Sequence, residues 1–238
     1  ATLPKGRILR EKDITPFILS AGTPRPSDKS ATPTSEPPIL IVGGGGLGKM
    51  CIEIIRSMGG YTIAGIVDAN FPVGHDVLGV QVIGSDQEAS IWRKQGVMFG
   101  CNAVGAVTVP SPRAAVYKRL KKTGFLLPNL IHPTAEVSPS AHLGDGCIIE
   151  ANAVIGPAAH IGNDSIINTS AVVSHDCHLG DHVHVAPGAI VAGDVTIGNR
   201  TVIGIGVTIH MGVTIGSDVL VYNGQNVFTD IPSGKTVR

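Results

Sequence analysis

The chain has 238 residues, 43% hydrophobic but only 4% aromatic, with 31 glycines, so its core has to be aliphatic and its turns many. Eighteen Lys and Arg balance eighteen Asp and Glu, which removes the basic excess expected of a nucleic-acid binder. Four cysteines without CxxC spacing indicate neither a disulfide framework nor a metal site, and no apolar run is long enough to span a bilayer.

Three segments follow in chain order. Residues 1–38 read as a tail and a flexible linker, because residues 20–38 are rich in Pro, Ser and Thr and poor in large apolar side chains. Ahead of the linker, Pro4-Lys5-Gly6-Arg7-Ile8-Leu9-Arg10-Glu11-Lys12-Asp13-Ile14 resembles the last turn and helix of a peripheral-subunit-binding domain from 2-oxoacid dehydrogenase complexes. A short tail helix is the plainer alternative. The first residues lack the basic, apolar and small-residue order of a signal peptide, so a cytoplasmic enzyme is expected.

Residues 39–127 read as a small Rossmann-like α/β domain. Ile39–Val42 predicts a strand that leads into Gly43-Gly44-Gly45-Gly46-Leu47-Gly48. A helix follows with apolar positions Met50, Ile54, Ile55 and Met58, closed by Gly59-Gly60. Tyr61–Val67 predicts a second strand that ends at Asp68, Asn102–Val109 a further strand, and Ser111–Lys122 a helix. The loop fits the dinucleotide fingerprint in context: Gly43-x-Gly45-x-x-Gly48 follows a strand and opens a helix, and Asp68 lies twenty residues on.

Residues 128–238 are dominated by a repeat. From Ile131 to Val221 an aliphatic residue recurs every six positions, sixteen times without an insertion. Four positions after each stands a small or β-branched residue, such as Ala153, Cys177 or Val195. A helix would repeat at 3.6 and a two-sided strand at 2; hexads mark a β-helix, with three to each triangular coil. Residues eighteen apart then stack on adjacent coils, which places His175 beside Gly193 and aligns His142, His160 and His178 in a column. That column reads as an exposed ladder, with metal binding or a subunit contact as alternatives. Cys177 falls in the small-residue register and reads as core rather than nucleophile.

The run Asn168-Thr169-Ser170, then His175-Asp176-Cys177, then His184, then Ala192-Gly193-Asp194-Val195 resembles the bacterial sugar acetyltransferases typified by UDP-4-amino-sugar N-acetyltransferases and the sialic-acid-pathway acetyltransferases. The likeness extends over residues 39–238. It implies a Rossmann-like nucleotide-binding domain followed by a left-handed parallel β-helix, acetyl-CoA as acyl donor, a nucleotide-sugar substrate carried on UDP, no metal, and a homotrimer with active sites between subunits.

By the same resemblance His175 is the general base and Asp176 its orienting partner, where the best-known members carry Glu. Asn168 and His184 hold the acceptor, His184 and the Gly193 N–H meet the acyl donor, and Gly43, Gly44, Gly45, Gly46, Leu47, Gly48 and Asp68 cradle the nucleotide sugar. Three features depart from the family: Leu47 replaces a common His, Val109-Pro110-Ser111-Pro112-Arg113 replaces a Gly-Asn/Asp motif, and the sequence ends at Arg238, ahead of a segment that often covers CoA. A sugar O-acetyltransferase and a non-catalytic nucleotide-sensing or scaffold protein are the competing readings. A nicotinamide oxidoreductase is the weakest, because nothing in the repeat supplies hydride chemistry.

Overall fold

The computed structural model describes residues 36–108 and 111–238. Residues 1–35 lie outside the described residues, and with them the segment Pro4–Ile14 and most of the linker; so do Val109 and Pro110.

The first layer contains β1 (Pro38–Val42), α1 (Gly46–Met58), β2 (Thr62–Val67), β3 (Asp76–Val77), β4 (Val80–Gly84), α2 (Ala89–Lys94), β5 (Phe99–Asn102) and α3 (Arg113–Thr123). The strands order as β3-β4-β2-β1-β5, all parallel except the β3–β4 hairpin. Ile39, Leu40, Ile41 and Val42 are fully buried, as a continuous apolar run must be when a parallel sheet is covered on both faces. After β1 the chain builds outward through β2 and β4, then crosses back to lay β5 on the other side. The order therefore switches at β1, and a crevice opens beyond the carboxyl ends of β1 and β5.

Two local expectations need correction. The buried face of α1 consists of Gly48, Cys51, Ile52, Ile54 and Ile55, while Met50 and Met58 are exposed. The third core strand is Phe99–Asn102 rather than 102–109. It pairs with Ile39–Val42 and ends where β1 ends, and the Asn102 side chain turns back to accept from the Val104 N–H at 3.4 Å. Beyond it Ala103 and Ala106 are buried, so the apolar character of this stretch reflects packing of a loop.

From Leu130 onward the chain winds into a left-handed parallel β-helix of two-residue strands. The first face stacks seven strands, beginning with Leu130–Ile131, Ile148–Ile149, Ile166–Ile167 and His184–Val185. The second stacks six, among them Val154–Ile155, Val172–Val173 and Ile190–Val191. The third stacks five, beginning with His142–Leu143, His160–Ile161 and His178–Leu179. The pairing register is eighteen residues through most of this region, as in Val154 with Val172 and Val172 with Ile190, and shortens to sixteen at the end, where Leu220 pairs with Thr236.

The second residue of each strand points inward, and the small residue four positions on joins it in one continuous core. Ile131, Val137 and Leu143 of the first coil are only partly buried, because no coil lies beneath them. Each corner is turned by a residue at positive φ, every sixth position from Gly146 to Gly224, including Asp164 (56°), Asp176 (59°) and His182 (60°). Asn, Asp and Gly carry most of these corners because a short polar side chain or none tolerates the left-handed region.

On the first face even the outward residues Leu130, Ile148, Ile166 and Val202 are buried. Leu130 and Ile148 belong to the same cluster as Cys51, Ile52 and Ile55 of α1, so the α/β layer packs on this face. A buried polar cluster joins the two. Arg113, 1% exposed, donates to the carbonyls of Asn102 (2.6 Å), Val104 (2.9 Å) and Asp164 (2.8 Å). Its Nη2 stands 2.9 Å from Asp164 Oδ1, an ion pair outside hydrogen-bond angles. Asn102 Nδ2 and His182 Nδ1 complete the shell of Asp164. Burial pushes the Asp164 carboxyl up, and Arg113 and His182 pull against it.

Candidate active site

Two constellations stand out, at different corners of the coil. The first lies between the second and third faces. His175 Nδ1 and Asp176 Oδ2 are 2.7 Å apart, with the two side chains 53% and 60% exposed. An ionised carboxylate can only accept, so this contact places the proton on Nδ1 and leaves the Nε2 lone pair free. Asp176 occupies one of the left-handed corners, at φ 59°.

One coil above, Gly193 lies against the imidazole. A Cβ built there would sit 2.5 Å from both Cε1 and Nε2 of His175, so glycine is what lets the ring lie along this corner. The neighbouring amides are committed, Ala192 N–H to Ile209 O and Asp194 N–H to His175 O, whereas among the described residues the Gly193 N–H meets no acceptor. A free imidazole nitrogen on an exposed ring thus lies over a buried glycine whose amide is uncommitted among the described residues. Cys177, two residues on, is fully buried with Sγ 3.0 Å from Ala192 O, and burial pushes its thiol up; it is core.

The second constellation is a cavity of about 410 Å³ between the crevice of the sheet and the first face. Gly43, Gly45, Gly46, Leu47 and Asp68 contribute one wall, Asn168 and His184 the opposite one, and the loop after β5 a third. Gly44 and Gly48 serve architecture instead. The Gly44 N–H donates to Asp68 Oδ2 at 2.7 Å, and a Cβ on Gly48 would collide with the Gly43 carbonyl where α1 crosses β1. Asp68 Oδ1 accepts the Asn70 N–H at 2.7 Å, so both oxygens of this acid hold backbone. The first amides of α1 point toward the cavity end of a thirteen-residue helix, an arrangement that favours anions.

His184 is 6% exposed and engaged at both nitrogens: Nδ1 is 2.6 Å from Ala106 O and Nε2 is 3.1 Å from Asn168 Nδ2. A carbonyl accepts, so Nδ1 carries the proton and Nε2 accepts from Asn168. Burial lowers its pKa and keeps the ring neutral. The Asn168 Oδ1 takes the Thr169 N–H at 2.8 Å, which fixes the amide orientation. Of the site residues expected from sequence, the structure therefore brings His175 to Asp176 and Gly193, and Asn168 to His184 and the Gly-rich loop. Within the chain His184 stands with Asn168, not with Gly193.

Sequence reasoning missed the Arg113–Asp164–Asn102–His182 cluster that anchors the loop lining this cavity. It also missed Glu150, 1% exposed, whose Oε2 accepts the Thr169 hydroxyl at 2.8 Å. Polar residues that interrupt the pattern at an otherwise buried face were the only available signal. The histidine column is present as exposed stacked rings, with centroids 4.6 and 4.9 Å apart. Parallel rings at that spacing point their nitrogens side by side rather than toward one point.

Residues 38–120 match the PglD N-terminal domain family, and residues 158–193 match the bacterial transferase hexapeptide (six repeats). No curated protein matches the chain. Among solved structures, a variant of GDP-perosamine N-acetyltransferase from Caulobacter crescentus, in complex with CoA and GDP-perosamine, is 39% identical. The match covers 85% of this chain and 93% of that one, with a TM-score of 0.80. The acetyltransferase domain of PglB from Neisseria gonorrhoeae, in complex with acetyl coenzyme A, is 34% identical over 85% of this chain and 96% of that one, with a TM-score of 0.77. WeeI from Acinetobacter baumannii shares the fold, at 23% identity over 83% of this chain and 94% of that one and a TM-score of 0.73. The chain belongs to the bacterial hexapeptide-repeat sugar acetyltransferases, enzymes that use acetyl-CoA as acyl donor.

Proposed function

We propose that the protein transfers an acetyl group from acetyl-CoA to the amine of an amino sugar carried on a nucleoside diphosphate. The observation that carries this reading is the His175 ring lying across Gly193, with Asp176 fixing its tautomer. Acetyl-CoA supplies the acetyl group as a thioester. His175 Nε2 takes the proton of the sugar amine as its nitrogen attacks, and the C–S bond then breaks as that proton passes to the departing CoA sulfur, which leaves as free thiol; such acid–base assistance is worth about 10²–10⁴ in rate. The Gly193 N–H donates to the thioester oxygen as negative charge gathers there, worth roughly 3–4 kcal/mol of barrier. Asp176 keeps Nδ1 protonated and the ring in place.

The free amides at Gly45, Gly46 and Leu47 receive the diphosphate, and Asp68 holds the loop in shape through Gly44. Asn168, locked by Thr169 and His184, offers its amide to the acceptor sugar. Asn168 and His175 stand on successive corners of one coil; in the homotrimer that the likeness implies, a sugar bound in the cavity of one subunit is met by His175 of a neighbour. The likeness in sequence points to UDP as the sugar's carrier, and the ligand of the Caulobacter enzyme to GDP.

The test is release of free thiol from acetyl-CoA with a panel of UDP- and GDP-linked amino sugars. Release with at least one of them, lost in His175→Ala, is expected. No release on any amino sugar, or unchanged release in the variant, overturns the reading. Release on hydroxyl acceptors alone would convert it to O-acetylation.

A further inference from the structure

We infer that Glu150 is a positioning residue for the acceptor sugar, acting through Thr169 on the Asn168 amide; this rests on the nucleotide-sugar reading and adds a residue that the reading does not use. Glu150 stands eighteen residues before Asn168 and so one coil below it. Both backbones are paired into the stack, the Glu150 N–H with Ile167 O and the Asn168 N–H with Val185 O, each at 2.9 Å. The Glu150 side chain is 1% exposed. A buried carboxyl is costly unless its oxygens are used. Only one is: Oε2 accepts the Thr169 hydroxyl at 2.8 Å, while Oε1 is buried and meets no partner among the described residues. The contact that this acid keeps is therefore the one to Thr169, and it leads to the cavity.

Thr169 carries the hold onward. Its carbonyl accepts the Gly188 N–H at 3.0 Å, and the next amide, Ser170 N–H, donates to Ala151 O at 2.9 Å. The Thr169 N–H takes no part in this coil-to-coil pairing and donates to Asn168 Oδ1 at 2.8 Å. Asn168 Nδ2 then donates to His184 Nε2 at 3.1 Å, and His184 Nδ1–H to Ala106 O at 2.6 Å. A row of hydrogen bonds thus joins a buried acid to the loop on another wall of the cavity. With Oδ1 held by Thr169 and one Nδ2 hydrogen given to His184, the second Nδ2 hydrogen meets no acceptor among the described residues and is left for a ligand. Asn168 lines the cavity, whereas Glu150 and Thr169 do not. Releasing the Thr169 side chain loosens the peptide that fixes Oδ1, and the amide keeps only its hold on His184.

The experiment is steady-state thiol release by the whole chain, with acetyl-CoA and a UDP- or GDP-linked amino sugar varied separately, in Glu150→Ala, Glu150→Gln, Thr169→Val and the double variant Glu150→Ala with Thr169→Val. Glu150→Ala and Thr169→Val should each raise the acceptor KM by about three- to ten-fold, the loss of one hydrogen bond, and leave the acetyl-CoA KM in place. Glu150→Gln keeps an oxygen for the Thr169 hydroxyl and should recover most of that loss. The two residues act on one path, so the double variant should be no worse than either single one. A merely structural Glu150 predicts lower thermal stability with both KM values unmoved or moved together, and that result overturns the assignment; so does a Gln variant no better than the Ala variant. Thr169 is half-buried and its valine isostere keeps the backbone pairing, so it tests the path even where Glu150→Ala does not fold. Wild-type release with the acceptor KM unmoved in Thr169→Val overturns this assignment alone. No release by the wild type on any nucleotide-linked amino sugar removes the nucleotide-sugar reading and this assignment with it.

Discussion

Replacing Gly193 by alanine should remove activity and leave the fold. The added methyl would lie 2.5 Å from Cε1 and Nε2 of His175, against an ordinary carbon contact of ~3.5–4.0 Å. The ring must therefore retreat by ~1 Å or more or rotate away, and both movements take Nε2 off its line to the acceptor. A displacement of that size costs on the order of 10²-fold in rate. The atoms that give way are those of a half-exposed side chain, and Gly193 is not among the positive-φ residues, so the backbone tolerates the change. Steady-state thiol release should fall by ~10²-fold while the thermal midpoint moves by no more than a surface substitution does, within about 0.5 kcal/mol. Wild-type turnover in Gly193→Ala would refute the reasoning, because the imidazole would then be catalytically irrelevant at the place where the structure puts it.

Other outcomes follow from the same geometry. Asp176→Asn keeps a residue that tolerates the left-handed corner but loses the charge that holds Nδ1–H, so kcat should drop about ten-fold or more with stability retained. Asp176→Ala should add an unfolding penalty of ~1–2 kcal/mol that Asn avoids, and equal urea midpoints for the two variants would count against this view of the corner. Arg113→Met leaves Asp164 buried without its counter-charge and should cost ~3–5 kcal/mol by urea unfolding; a loss below about 1 kcal/mol would mean the cluster is not a structural tie. Burial holds the folded-state pKa of His184 below its unfolded value of about 6.5, so its contribution to stability is complete above that pH and is lost as pH falls toward the depressed value. Buried Asp164 and Glu150, pushed up by burial, act in the opposite sense, so the difference between wild type and His184→Gln isolates the histidine. Between about pH 7.5 and about pH 5.5 the wild type should lose more stability than the variant, and parallel pH profiles would contradict this.

The β-helix was the most legible part of the chain, because its periodicity is a direct image of its geometry. Inward residues must be aliphatic at every turn, and from Ile149 to Val221 every one of the hexad aliphatics is buried. The same arithmetic foretold the contact of His175 with Gly193 and the stack of His142, His160 and His178. Failures came where packing is non-periodic. Met50 and Met58 match a helical stripe, yet the sheet and the β-helix press on Cys51, Ile52 and Ile55 instead. Asn102–Val109 is apolar enough for a strand, but strand pairing stops with β1, and residues 103–108 continue as a loop that buries Ala103 and Ala106. The Arg113–Asp164 pair links residues 51 apart through a buried interface that no local pattern encodes.

The most direct test of the account is a crystal structure with CoA and a nucleotide-linked amino sugar soaked together. It should show the CoA sulfur at the corner between His175 Nε2 and the Gly193 N–H, with the sugar amine presented to the same point and the diphosphate on the first amides of α1. CoA bound at another corner of the coil, or a nucleotide lying away from the Gly-rich loop, would contradict it.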